Sequence, residues 1–228
     1  MRAGIILQVR MDSRRLPGKA LELIGGRPMV DRCIRRLQHG GAAPVILATT
    51  TRDDDEVLAV LGRCSGIGVF RGAANDVLDR FVRCAAAYDL RYVIRATADN
   101  PAVDLDAPRR VLDALQRTGA DYVREEGLPY GAAVEGITAA ALTRAAALAR
   151  EAADREHVTT FIRRRTDLFR AVSVAVPKPV ARPDVRLTVD TWEDLQHMRQ
   201  LYASVNSEMP TVAELIGAWD NTRKRAVA

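Results

Sequence analysis

Cysteine occurs three times in 228 residues, at Cys33, Cys64 and Cys84. The three lie far apart, have no CxxC spacing and cannot all pair. A disulfide framework is therefore excluded, and buried thiols in a reducing cytoplasm are expected. Histidine is equally scarce, and no histidine–cysteine cluster has the spacing of a zinc site. Apolar runs stop at strand length, VILA at 45–48 being typical, which excludes a transmembrane helix. Arg2 and Gln8 interrupt the opening residues, so no secretory leader is expected. Aromatics make up 5% of the chain, and without a nucleic-acid-binding signature neither DNA nor RNA is an expected partner.

Lysine is nearly missing as well. Lys19, Lys178 and Lys224 leave 31 of the 34 basic residues to arginine, with a net charge of +5. Compositional bias explains most of that excess, alanine being abundant too. The remaining positive balance fits a small polyanion.

What is present is an alternation. Apolar strand patterns at 4–9, 45–50, 67–72, 92–97 and 120–124 are separated by helical patterns at 28–38, 53–64, 76–88 and 107–119. Such a β-α repeat predicts parallel strands with helices on both faces. Ligands then bind beyond the carboxyl ends of the strands, which places the loops at 10–19, 71–76 and 97–101 on one rim. The second half is less regular. A hairpin or excursion is expected at 128–138, two helices over 139–165, a strand at 168–176, a strand at 185–191, a helix at 192–205 and a short helix after Pro210. The tail beyond Trp219 reads as loose.

Several motifs carry chemistry. LQVRMDSRRLPGKAL (7–21) crowds Arg10, Arg14, Arg15 and Lys19 around Pro17-Gly18, directly after the first strand. Such a loop suits a triphosphate, its backbone amides and cations surrounding the oxygens. It is neither a Walker A loop nor GxGxxG, and a solvated basic loop remains the alternative. In RATADNP (95–101), Asp99 ends a strand where a carboxylate can ligate magnesium; Asp-Asn-Pro is also an ordinary turn. In RLTVDTWEDL (186–195), Thr191 and Asp194 form an approximate capping box, which leaves Asp190 free at the rim. FRGAANDVLDRF (70–81) places Arg71 and Asp76 near a helix start, where Asp76 has an alternative role as a helix-terminal charge. PYGAAVE (129–135) carries Glu135, and REHVTTFIRRR (155–165) carries His157 and Arg163.

Together these motifs, in this order over about residues 3–205, resemble the spore coat polysaccharide biosynthesis protein F family. That family is related to the cytidylyltransferases that make CMP-Kdo and CMP-sialic acid. The resemblance implies a three-layer α/β/α fold of the nucleotide-diphospho-sugar transferase type, which is GT-A-like and Rossmann-like. It further implies CTP as donor, Mg2+ as cofactor, pyrophosphate release and a homodimer. By the resemblance, Arg10, Arg15 and Lys19 hold the phosphates, with Gln8, Val9, Ser13 and Gly18 in the same nucleotide site. Arg71 and Asp76 lie by the base or ribose in a pocket lined by Thr97 and Ala98. Asp99 and Asp190 are the metal ligands, while Glu135, His157 and Arg163 face the acceptor. Residues 1–125 would form a nucleotide half, 126–184 an acceptor or dimerisation excursion, and 185–228 the returning metal strand and terminal helices, within one domain. CMP-Kdo enzymes have longer chains and a different acceptor region, so the acceptor is left as a sugar acid or a phosphonate. Two other readings stand beside this one. One is a glycosyltransferase on the same fold, with Asp104-Leu105-Asp106 as its DxD motif. The other is a catalytically silent nucleotide-binding protein.

Overall fold

The central strand forms where the sequence is most apolar. In the computed structural model, which describes residues 2–227 with side chains to Lys224, strand β1 (Ala3–Gln8) buries Ile5, Ile6 and Leu7 completely. A strand alternates its side chains, so Ile5 and Leu7 serve one core and Ile6 the other. Each such burial stabilises the fold by about 2 kcal/mol. The remaining elements, in chain order, are β2 (Leu23–Ile24), β3 (Arg27–Pro28), α1 (Met29–His39), β4 (Val45–Thr50), α2 (Glu56–Cys64), β5 (Gly68–Gly72), α3 (Val77–Ala87), β6 (Tyr92–Thr97), α4 (Ala107–Thr118), β7 (Tyr122–Glu126), β8 (Glu135–Thr138), α5 (Ala139–Leu148), α6 (Ala152–Glu156), α7 (Thr160–Arg164), β9 (Ala171–Ala175), α8 (Trp192–Ser204) and α9 (Val212–Val227).

Seven strands form one sheet in the order β5-β4-β1-β6-β8-β7-β9. Helices α1 and α4 cover one face through Val30, Ile34, Leu37, Val111 and Leu115. Helices α3, α5 and α7 cover the other through Leu78, Phe81, Leu142 and Ile162. The result is a three-layer α/β/α sandwich. A third cluster packs α8 and α9 against Ile24, Met29 and the extended stretch from Val185 to Val189.

Four features depart from the sequence reading. The sheet is mixed: β8 runs antiparallel to both β6 and β7, although the other pairings are parallel. Residues 139–165 form three helices, not two. The 185–191 stretch is not a sheet strand; its one β-bridge joins Arg186 to Tyr130. Its backbone instead bonds to two loops, Leu187 N–H donating to Tyr130 O at 2.7 Å and Val189 N–H to Asp99 O at 2.8 Å. Finally, α9 continues past Trp219 to Val227, so the expected loose tail is helical.

Candidate functional site

The loop after β1 is curled by its own backbone. Gly18 has φ 72, a left-handed conformation that glycine adopts without steric cost, and its N–H donates to Met11 O at 3.0 Å. Asp55 holds the loop from behind. Its buried carboxylate accepts from Met11 N–H at 2.7 Å and from the Thr50 hydroxyl. The acidic run at 53–55 reads in the sequence only as helix-start charge; nothing local marks Asp55 as the residue that turns inward.

The loop forms one wall of a cleft of about 350 Å³ at the carboxyl ends of β1 and β6, a volume at the small end of ligand pockets. Gln8, Val9, Arg10, Ser13, Arg15 and Lys19 line it, with Thr97, Ala98 and Asp99 opposite and His157 and Asp190 at its edge. The Lys19 ammonium binds three oxygens: Val189 O at 2.7 Å, Asp190 Oδ1 at 3.2 Å and Asp99 Oδ2 at 3.5 Å. Two carboxylates distant in sequence thus meet on one cation. Asp190 also accepts from Arg15 at 2.8 Å and Arg186 at 3.0 Å. Burial alone would raise its pKa, but Lys19, Arg15 and Arg186 outweigh it, and the carboxyl lies below its ordinary value.

Asp190 is free for this role because its neighbours form the helix cap. Thr191 Oγ1 accepts from Asp194 N–H at 3.2 Å, and Asp194 Oδ2 accepts from Thr191 N–H at 3.0 Å, a reciprocal capping box. Gly131 lets the 129–132 loop lie against this segment. Its φ is 96, and a Cβ there would sit 2.6 Å from Thr188 N.

Gly18, Arg71 and Asp76 lie outside the lining of this first cleft, and Glu135 and Arg163 line a neighbouring one. Gly18 shapes the loop and does not line the cleft. Arg71 lies outside the cleft because its guanidinium holds Thr50 O at 2.9 Å, Arg52 O at 2.7 Å and the Glu56 carboxylate. Asp76 caps α3 through Asp79 N–H at 2.9 Å and pairs with Arg155 at 2.6 Å, so it too is absent from the cleft lining. Glu135 and Arg163 line a second cleft of about 570 Å³ that shares Arg15, Arg95, Asp99, His157 and Asp190 with the first. Both Glu135 oxygens are occupied, by Arg95 at 2.6 Å, the Tyr122 hydroxyl, and Thr159 at 3.2 Å. It is a partly buried carboxylate with every oxygen paired. Burial would raise its pKa, and Arg95 with these hydroxyls holds it below the ordinary value. Arg163 is exposed.

The sequence reading missed Arg95, which lines both clefts. Its Nε and the Gln8 Oε1 are buried and have no hydrogen-bond partner among the described residues. It also missed Val158, a buried β-branched residue with φ 49. This strained turn sets His157 and Thr159 at the cleft edge. Asp104, the first acid of the candidate DxD motif, is tied to Arg110 at 2.8 Å and to Asp106 N–H at 3.0 Å, and it lines neither cleft.

No group of three histidine, cysteine or acidic side chains able to cage a metal occurs among the described residues. The donor set at Lys19, two hard carboxylates beside open cleft, fits a cation that completes its shell with water and phosphate oxygens, as magnesium does.

A family model described as cytidylyltransferase matches residues 4–222. The spore coat polysaccharide biosynthesis protein SpsF of Bacillus subtilis is 33% identical over 214 residues, covering 91% of this chain and 89% of its own. The 3-deoxy-manno-octulosonate cytidylyltransferase of Xanthomonas axonopodis pv. citri is 36% identical over 121 residues, about half of each chain, at 51% and 46%. Among solved structures, a cytidylyltransferase from Leptospira borgpetersenii superposes with a TM-score of 0.91 at 26% identity, covering 98% of this chain and 96% of that one.

Proposed function

This chain belongs to the cytidylyltransferase family and is a CTP-dependent nucleotidyltransferase, and on that premise we propose that it transfers CMP to a small acidic acceptor, a sugar acid or a phosphonate, and releases pyrophosphate. The observation that carries the reading is the convergence of Arg15, Lys19, Asp99 and Asp190 in one cleft.

An acceptor oxygen attacks the α-phosphorus in line. The bond from that phosphorus to the β-phosphate oxygen breaks, and its electron pair leaves with pyrophosphate. The protein's task is positioning and charge neutralisation. Arg10, Arg15 and Lys19 offset the charge that grows on the leaving group. Arg10 is steadied by Asp12 at 3.1 Å and Glu156 at 3.6 Å. Gln8, Thr97 and Ala98, in place of Arg71 and Asp76, border the end of the cleft assigned to the base or ribose. Asp99 and Asp190 would hold Mg2+, which supplies charge neutralisation at the phosphates when bound. Asp190, acidified by its cations, is a poor proton acceptor. An acceptor oxygen that is already ionised, as on a phosphonate, needs no proton removed, whereas the hydroxyl of a sugar acid gives its proton to solvent as the new P–O bond forms.

Arg95 and Arg163, along the second cleft, supply positive charge for the acceptor's acid group, and His157 lies beside them as a hydrogen-bonding group. Strand β9 ends the sheet and has alternate residues exposed, which supports a homodimer formed on that side. The free thiols Cys33, Cys64 and Cys84 support a cytoplasmic setting.

Pyrophosphate release with CTP, against UTP, ATP and GTP as controls, across a panel of sugar acids and phosphonates tests the reading. Acceptor-dependent release with CTP and magnesium is expected. Nucleoside diphosphate release from a nucleotide sugar, with none of pyrophosphate from CTP, would overturn it.

A further inference from the structure

Away from both clefts, α1 carries three arginines, Arg32, Arg35 and Arg36, that meet Arg27 around a small cavity of about 80 Å³. Tyr202, Glu208 and Met209 complete its lining. Four guanidinium groups face two carboxylates there. Asp31 pairs with Arg35 at 2.9 Å and Arg27 at 3.6 Å, and Glu208 pairs with Arg27. The local surplus is two positive charges, in a space much smaller than the 350 Å³ main cleft.

Arg36 is the informative residue. It is 2% exposed. Its Nε donates to Val103 O at 2.8 Å and its Nη1 to Pro210 O at 2.6 Å, while its Nη2 is buried without a hydrogen-bond partner among the described residues. A buried charged donor left unpaired costs free energy until an acceptor reaches it. Arg32 is better satisfied. It stacks 4.3 Å over the Tyr202 ring and donates to Gly25 O at 2.7 Å and Glu208 O at 3.1 Å. The only carboxylate among the lining residues is Glu208, whose side chain is 69% exposed and is therefore easily displaced from Arg27.

We propose that this cavity binds one tetrahedral oxyanion, either inorganic phosphate or the phosphoryl end of a small metabolite. Planar guanidinium forks match such oxygens, and the size excludes a nucleotide. The site is tied to the loop that carries Asp99. Of its lining, Arg36 holds Val103 O, and the Tyr202 hydroxyl donates to Pro101 O at 2.6 Å. An ion bound there would stiffen the 98–103 loop through these two bonds. The inference is independent of which acceptor the enzyme uses.

Calorimetric titration of inorganic phosphate into the full chain at constant ionic strength tests it. The Arg15→Ala/Lys19→Ala background removes binding in the main cleft. One phosphate per chain is expected in that background. Adding Arg27→Gln and Arg35→Gln should weaken it at least about tenfold, the loss of charge-assisted hydrogen bonds, whereas Glu208→Gln should tighten it. A phosphate monoester titrated in parallel distinguishes the two sources. Tighter binding of the ester assigns a phosphorylated metabolite, and tighter binding of inorganic phosphate assigns the free ion. No saturable binding in the background variant, equal heat from chloride, or an affinity unchanged by Arg27→Gln/Arg35→Gln would overturn the site. Should those two substitutions prevent folding, Glu208→Gln alone decides, and an unchanged affinity overturns the proposal.

Discussion

Lys19 is 13% exposed at its side chain and holds Asp99 and Asp190 together. An ammonium in that position draws two carboxylates together, the arrangement a polyphosphate with its divalent cation requires. Asp99→Asn and Asp190→Asn should each lower CTP-dependent turnover by about 10²–10³-fold, the effect of removing one strong electrostatic stabiliser, with the thermal midpoint nearly unchanged. Steady-state kinetics checks this, and wild-type turnover in both variants would remove the pair from the site. Arg71 shows the opposite case. Its place at a strand end is legible, but its guanidinium turns to Thr50, Arg52 and Glu56. Sequence spacing does not report a rotamer.

At the scale of elements, the start of α8 decides where Asp190 sits. Thr191 caps the helix and Asp194 returns the bond, so the chain enters α8 at a fixed angle with the preceding carboxylate directed at Lys19. Thr191→Ala should destabilise the fold by about 1 kcal/mol, the usual cost of a lost N-cap, and reduce turnover as Asp190 loses its support. Chemical denaturation and kinetics on one preparation measure both; full stability with full activity would refute the coupling. The cap was legible because its residue types sit at fixed spacing. The fate of 185–191 was not: alternating apolar residues read as a sheet strand, yet the backbone donors go to the Asp99 and Tyr130 loops.

For the whole molecule, Glu135 is a point of linkage. It sits on β8, the one reversed strand, and bonds to Arg95 on β6, Tyr122 on β7 and Thr159 before α7. Its pKa is lower folded than unfolded. The stabilisation is therefore complete above the ordinary glutamate value of about 4.3 and is lost as pH falls through the folded value. Glu125, raised by burial against the pull of Arg110, works in the opposite direction. Glu135→Gln should cost about 2 kcal/mol near pH 7, because it leaves the partly buried Arg95 without its counter-charge. It should also flatten the loss of stability below pH 4. Unfolding midpoints from pH 7 to 2 test this, and parallel curves for wild type and variant would sink it.

The strands at 4–9, 45–50 and 92–97 could be read from local composition because most of each is buried on both faces and such strands are largely apolar, their polar residues falling toward the carboxyl ends that form the rim. The rim loops followed from the same alternation, since strand ends in such sheets lie together. The direction of β8 could not be read, because an antiparallel and a parallel strand carry the same side chains. Nor could the partners of Arg71, Asp76 and Glu135, which depend on groups brought close by folding. Asp99 and Asp190 were visible as residues at strand or helix ends, but their meeting depends on the backbone bond from Val189 to Asp99. Local chemistry determines which elements form; only the closed fold determines which charges end up within reach of one another.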